Sequence, residues 1–241
     1  MASLPLFFHD AAFVANTTTQ LNEDAARHIV QVLRMQVGEK LQLTDGKGSV
    51  ANVTITDAGK KKCSVSIDSI IKHDAPTTPL HLAIAFTKNT SRNEWLLEKA
   101  TELGVSSIIP LSVTRSERER AKHERWNTIL VSAMLQSQQY YLPYLSEALS
   151  LKSLIEKYDV TQKLIGHCIS DKPRTAISKA LQPRKETLIL IGPEGDFTED
   201  EVTLCEQHGF TGISLASQRL RTETAAMAAC AYFNSINNEV E

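Results

Sequence analysis

No stretch of this chain stays apolar for the ~18–20 residues that a membrane-spanning helix needs, so an integral helical membrane protein is excluded. Its four cysteines, Cys63, Cys168, Cys205 and Cys230, lie far apart and form no C-x-x-C pair. That argues against a disulfide framework or a zinc site and fits a reducing, cytoplasmic setting. Met1–Asp10 lacks the basic start and long apolar stretch of a secretory signal. There is no G-x-G-x-x-G and no G-x-x-x-x-G-K-[ST], which disfavours a nicotinamide dehydrogenase and a P-loop NTPase. H-E-x-x-H and G-x-S-x-G are missing too. A basic excess is also absent: 26 Lys and Arg stand against 28 Asp and Glu, for a net charge of −2. A generic polyanion binder usually carries the opposite balance.

What is present is ordinary globular material, 241 residues of which 42% are hydrophobic and 22% charged. That is enough for a core, and the length suits one compact domain with a small appendage. The charge is unevenly spread. Pro183–Glu241 holds ten acidic and four basic residues, whereas Phe86–Trp126 holds eight basic and six acidic. A basic surface is therefore expected in the first half and middle of the chain.

The polar run His73-Asp74-Ala75-Pro76-Thr77-Thr78-Pro79 reads as a linker between residues 1–73 and 74–241. Before it, Asn22 can cap a helix that runs to about Met35, with Gly38 as its stop. Short strands are expected at Lys40–Thr44, Ser49–Thr56 and Cys63–Ile71, with Asp45-Gly46-Lys47-Gly48 as a hairpin turn. A helix and several short strands in about 70 residues suggest a small β-barrel-like domain. After the linker, strands and helices alternate. Strands are expected at His81–Phe86, Ser106–Leu111, Lys163–Cys168, Thr187–Gly192 and Gly212–Leu215. Ser91-x-x-Glu94 and Thr198-x-x-Glu201 are capping boxes, and Thr222 can cap the last helix. This alternation predicts a parallel sheet covered by helices on both faces, with ligands beyond the carboxyl ends of its strands.

Three loops then stand out. Gly166-His167-Cys168 ends a strand, and there Cys168 reads as a buried strand-end cysteine rather than a nucleophile. Gly192-Pro193-Glu194-Gly195-Asp196 leads from an apolar strand into a capped helix. It reads equally as a tight, well-capped turn and as a ligand loop, whose glycines allow close backbone approach and whose carboxylates favour a cationic centre, or an adenine and ribose, over a bare phosphate. Ser214–Ala225 carries Arg219, Arg221 and Glu223 into a helix rich in alanine, where they form either a site corner of both charges or a surface ion pair.

The ordered set of Gly192-Pro193-Glu194-Gly195 and Leu220-Arg221-Thr222-Glu223-Thr224-Ala225 resembles the SPOUT methyltransferases. More narrowly, it resembles the family that methylates N3 of uridine 1498 in 16S ribosomal RNA. His28-x-x-x-Val32-Leu33-Arg34-Met35-x-x-Gly38, Asp45-Gly46-x-Gly48, Lys88, Glu98–Val105 and Arg115-Ser116 are similar to that family in the same order. Two arginines of the family pattern appear here as Gln139 and Gln218, with Arg219 next to the second. The resemblance implies an α/β fold with a deep trefoil knot, a PUA-like RNA-binding domain over 1–73 and a methyltransferase domain over 74–241. It implies a homodimer that acts on 16S rRNA or the small ribosomal subunit, with no membrane and no metal. S-adenosylmethionine is the implied cofactor, held by His167, Ile191, Gly192, Pro193, Glu194, Gly195, Leu215, Ala216, Leu220, Thr222 and Ala225.

Arg221 is the expected stabiliser of a uracil anion, being permanently cationic at the pocket edge. Glu223 is expected to orient Arg221 or to accept the proton. RNA contacts are expected from Arg27, Arg34, Lys88, Arg92, Arg115 and Arg118, and from Lys60, Lys61 and Lys62, which also read as a solvated turn. Tyr140 and Tyr141 read as half-buried packing rather than a base-stacking platform.

Overall fold

The computed structural model describes residues 4–59, 62–116 and 123–237. The chain divides into two compact units, Met1–Ala75 with Met134–Leu142, and Pro76–Ala133 with Pro143–Glu241. The expected division into 1–73 and 74–241 has a single boundary. It does not foresee that nine residues from the middle of the chain belong with the N-terminal unit.

In the first unit, strands β1 (Leu6–Phe8), β2 (Thr18–Gln20), β3 (Lys40–Thr44), β4 (Ser49–Ala58) and β5 (Cys63–Lys72) form one sheet in the order β1-β3-β4-β5-β2. All neighbours are antiparallel except β1 and β3. Period-two burial turns Leu41, Leu43, Val53, Ile55, Val65 and Ile67 to one core. Register shifts at Asn52/Val53 and Ile55/Asp57 bend the long β4–β5 pair around that core. The Asn22 side chain accepts from Ala25 N at 2.8 Å and caps α1 (Glu23–Arg27). The helix does not run on in α form to Met35. It widens into a π-helical turn over His28–Val32, closed by Leu33 N to His28 O at 2.9 Å, and Arg34 is left-handed at φ +57°. The β-branched Ile29, Val30 and Val32 crowd a regular α-turn, and the wider turn keeps Ile29 buried.

The Asp45–Gly48 turn forms as expected. The Asp45 carboxylate accepts from Lys47 N and Ser49 N, and Gly46 and Gly48 take positive φ. The segment Met134–Leu142 closes over this turn. Gly48 N donates to Tyr140 O at 2.9 Å, Tyr141 donates its hydroxyl to His73 O at 2.8 Å, and the Tyr140 ring stacks on His73. Both tyrosines are half-buried. A Cβ on Gly48 would stand 2.2 Å from the Tyr141 hydroxyl, so only glycine fits there.

The second unit is built on an eight-stranded parallel sheet. Its strands are β6 (Leu80–Ile84), β7 (Ser107–Ser112), β8 (Tyr144–Leu145), β9 (Leu149–Ser150), β10 (Gln162–Gly166), β11 (Thr175–Ala176), β12 (Thr187–Ile191) and β13 (Thr211–Ser214). Their order is β11-β13-β10-β12-β6-β7-β8, with β9 also pairing β7. Every residue of β12 is buried, as an all-parallel sheet covered on both faces requires. One core joins Ala83, Ile109, Leu188 and Leu190 to α4 (Leu151–Lys157) and α6 (Glu199–Gln207). On the alternate side, α7 (Thr222–Asn237) packs on β6, β12 and α2 (Thr90–Glu102). α3 (His123–Gln136) and the short α5 (Ile177–Ala180) complete the helices among the described residues.

One capping box forms as read: Thr198 accepts from Glu201 N while Glu201 accepts from Thr198 N. The other does not. Asn89, not Ser91, caps α2, accepting from Arg92 N, because the helix starts at Thr90.

Candidate active site

The order of the strands locates the site. The chain builds β6 and β7 on one side, crosses to β10, and then inserts β12 between β10 and β6. Beyond the carboxyl ends of strands at such a reversal the connecting loops part and leave a crevice. A pocket of about 660 Å³ opens there, walled by Gly166-His167-Cys168, Ile191–Glu194 and Ile213–Thr222.

Hydrogen bonds lace these loops together. Thr222 Oγ1 donates to Gly192 O at 3.1 Å in a buried contact, so the expected cap instead ties the start of α7 to the loop after β12. Arg221 supplies the carbonyl that starts the helix, accepting from Ala225 N. Arg219 donates to Glu194 O, and Asp196 accepts from Cys168 N at 2.7 Å and Phe197 N at 2.8 Å. Gly192 is a close approach, since a Cβ there would meet the Phe197 ring at 3.0 Å.

Of the residues expected to hold cofactor, His167, Ile191, Gly192, Pro193, Glu194, Leu215, Ala216, Leu220, Thr222 and Ala225 all line the pocket. Gly195 does not. It turns toward Arg115, whose Nη1 donates to Gly195 O at 2.7 Å, so Arg115 braces this loop. Cys168 is exposed and lines the pocket, contrary to the buried strand-end reading, because β10 ends two residues earlier at Gly166.

Arg221 lines the pocket, whereas Glu223 sits behind it, 8% exposed. Glu223 does not pair with Arg221. Arg221 stands just ahead of α7, whereas Glu223 lies inside its first turn with its Oε1 3.5 Å from Arg92 Nε. Arg92 also lies 3.6 Å from Glu194 through Nη1, so a residue expected to touch RNA lines the pocket between two carboxylates. Asp196 and Ser214, from the second and third candidate loops, line the pocket as well, and Arg174 and Ile213 line it without having been singled out.

Among the other basic candidates, Lys88 is exposed and outside the pocket. Arg27 and Arg34 are exposed in the first unit, where Arg27 lies 3.9 Å from Glu23 and 3.8 Å from Asp24. Such exposed pairs hold a side chain weakly and leave it available to a phosphate. Lys60, Lys61 and Arg118 lie outside the described residues. Gln218 lines the pocket and accepts from Ser217 Oγ. Gln139 lies in the segment that joins the first unit.

The pocket suits a nucleoside with a cationic centre. Ile191, Ile213, Leu215 and Leu220 give apolar walls, glycine and alanine expose backbone, and Glu194 stands at the rim. His167 is buried with both ring nitrogens unpartnered among the described residues. Burial, helped by the charge of Arg174, lowers its pKa against the pull of Asp196, so it is neutral and keeps one donor and one acceptor. Among the described residues no cluster of His, Cys, Asp and Glu is placed to hold a metal ion, and no helix is long and apolar enough to cross a membrane.

A second polar cluster lies at the amino ends of the strands. His81 Nδ1 is 2.7 Å from Ser107 Oγ, and its Nε2 is 3.0 Å from Glu186. The connectivity is that of a hydrolase triad. Ser107 is only 4% exposed, however, so the cluster ties the starts of β6, β7 and β12 together instead of meeting a substrate.

Comparison with known proteins agrees with this geometry. A family model for an RNA methyltransferase domain matches residues 73–234, and one for an RNA methyltransferase PUA domain matches 21–68. Ribosomal RNA small subunit methyltransferase E of Rickettsia conorii is 30% identical over 229 residues, spanning 94% of this chain and 93% of the relative. The same enzyme of Bacillus subtilis is 30% identical over 226 residues, 88% of each chain. A protein of Porphyromonas gingivalis described as a probable rRNA-methyltransferase superposes with a TM-score of 0.89 at 37% identity, covering 97% of this chain and 98% of that one. Ribosomal RNA small subunit methyltransferase E of Neisseria gonorrhoeae, bound to S-adenosyl methionine, superposes with a TM-score of 0.85 at 27% identity over 97% and 98% of the two chains.

Proposed function

This chain belongs to the ribosomal RNA small subunit methyltransferase E family, and from that premise we propose that it methylates N3 of uridine 1498 in 16S ribosomal RNA from S-adenosylmethionine. The observation that carries this reading is the pocket at the β10–β12–β6 reversal, where the buried His167, apolar walls and the Glu194 carboxylate meet.

S-adenosylmethionine, when bound, supplies an electrophilic methyl group on a positively charged sulfur. His167, Ile191–Glu194, Leu215, Ala216, Leu220, Thr222 and Ala225 hold it, with the carboxylate of Glu194 favouring its charge. Gly195 supports from behind the loop. Uridine N3 carries a proton that must pass to solvent before or as the methyl group arrives. While it leaves, negative charge spreads over N3 and the uracil oxygens, and the methyl transfer then gives a neutral base and a neutral thioether leaving group. Arg221, which has no carboxylate partner among the described residues, offers an unneutralised guanidinium to that charge. Glu223 acts through Arg92, holding it in the pocket wall. The PUA-like unit, through Arg27 and Arg34, and Lys88 in the second unit, contact RNA phosphates.

The knot, the homodimer and a cytoplasmic location belong to the same proposal. A dimer face is supported by Trp95, 45% exposed on α2, and Tyr232, 38% exposed on α7, on two helices that pack together. Light scattering should give twice the chain mass of 26.7 kDa; a monomer would remove the dimer from the reading.

Small subunits from cells lacking this gene, incubated with the protein and methyl-labelled S-adenosylmethionine, should take label into 16S RNA. Subunits from cells that keep the gene should take none. Equal labelling of both, or of neither, would contradict the reading.

A further inference from the structure

The arginines of the pocket stand at its two ends and are not equivalent. Strand order places Arg174, one residue before β11, at the edge of the row, and Arg92, on the helix after β6, on the far side of β13, β10 and β12 from it. Arg92 faces Glu194 and Glu223, and Arg219 donates to Glu194 O. Arg174 instead donates through Nη1 to His167 O at 3.1 Å, and among the described residues it forms no ion pair. The nearby carboxylate of Asp196 is held by the amides of Cys168 and Phe197. Arg174 is thus anchored by one nitrogen, with its charge not matched by a protein carboxylate and its remaining donors open to the pocket.

The methyl donor is a nucleoside at one end and an amino acid at the other. Its α-carboxylate is a planar two-oxygen acceptor, which a guanidinium fork matches in geometry and charge. We propose that Arg174 binds the α-carboxylate of S-adenosylmethionine. The amino-acid tail then occupies the β11 end, and the β6 end, with Arg221 and Arg92, is left to the RNA base. This rests on the cofactor reading above and adds a specificity residue to it. The anchor on His167 O gives Arg174 a fixed starting geometry, so little side-chain freedom is lost when the carboxylate arrives.

Titration calorimetry of the full chain with two neutral thioethers tests it. S-adenosylhomocysteine carries the amino-acid tail, and 5′-methylthioadenosine lacks it. Arg174→Gln should weaken S-adenosylhomocysteine about tenfold, the size of one charge-assisted contact, and leave 5′-methylthioadenosine within about twofold. Arg174→Lys should fall between, keeping the charge and losing the fork. Unchanged binding of the first ligand, or equal weakening of both, would overturn the proposal; equal weakening would mean that Arg174 only braces the His167 loop. A fall in RNA affinity with both nucleosides unchanged would also overturn it and assign Arg174 to an RNA phosphate. If the unaltered protein binds neither nucleoside, the cofactor reading falls and this proposal with it.

Discussion

His167 lines the pocket and packs against Gly212 in β13, and their contact leaves no room for a side chain on Gly212. A Cβ on Gly212 would stand 2.6 Å from Pro173 O and 2.7 Å from His167 Nε2. Gly212→Ala should therefore push His167 or the 173 backbone away, lowering stability by about 1–3 kcal/mol and weakening S-adenosylhomocysteine binding in titration calorimetry. Unchanged affinity would take His167 out of the cofactor site. Arg221→Ala is expected to divide the two functions of the pocket: methyl transfer falls at least ~100-fold, while cofactor affinity stays within about threefold. Equal loss of both would make Arg221 part of the cofactor wall. At this scale the sequence is a partial guide. His167, Ile191–Glu194 and Leu215–Ala225 were legible because apolar strands run straight into them. Arg174 was not, since Asp171-Lys172-Pro173-Arg174 has the composition of a surface turn. Nor was the pairing of Glu223 with Arg92, which only the folded α2–α7 contact brings together.

The elements that hold the loops are fixed by capping and by cross-loop bonds. Glu201 carries several of these. Burial pushes its carboxyl up, but donation from Thr114 N, Thr198 N and both threonine hydroxyls outweighs burial and holds it below the ordinary carboxylate value. A carboxyl lowered by folding adds stability above its unfolded pKa, and that stability is lost as pH falls through the folded value. Glu201→Gln should cost about 1 kcal/mol at neutral pH, and the gap to the unaltered protein should close as pH drops through the carboxylate range in thermal melts. A gap independent of pH would mean that the carboxylate charge is not what the bonds use. The ten-residue β4 and β5, the apolar β12 and the helices α2, α6 and α7 were readable from their periodicity, but of the caps read for these three helices only that of α6 formed as read. The strands β1, β2, β8, β9 and β11, of two or three residues each, carry no measurable period, and the π-helical turn at His28–Val32 depends on burying Ile29.

Across the whole molecule, the chain does not assemble as two successive domains. Met134–Leu142 returns to the N-terminal unit and fits the Asp45–Gly48 turn, with Tyr141 in the space that a side chain on Gly48 would fill. A polypeptide of residues 1–75 alone lacks this segment. It should unfold at lower denaturant concentration than the same unit in the full chain, and Gly48→Ala should destabilise the unit in the full chain. Equal stability of the isolated piece would show that the segment adds nothing. No local signal marks residues 134–142 as belonging there, because their partners lie about 90 residues earlier in the chain. The catalytic unit was more legible as a whole, since strand and helix alternate and the reversal of strand order dictates where a ligand can sit.

The most direct measurement takes small ribosomal subunits lacking this modification, treats them with the protein and S-adenosylmethionine, and digests the RNA to nucleosides for mass spectrometry. A 3-methyluridine peak is expected, and Arg221→Ala should abolish it. A methylated nucleoside of any other kind, or none while the cofactor binds, would contradict the proposed function.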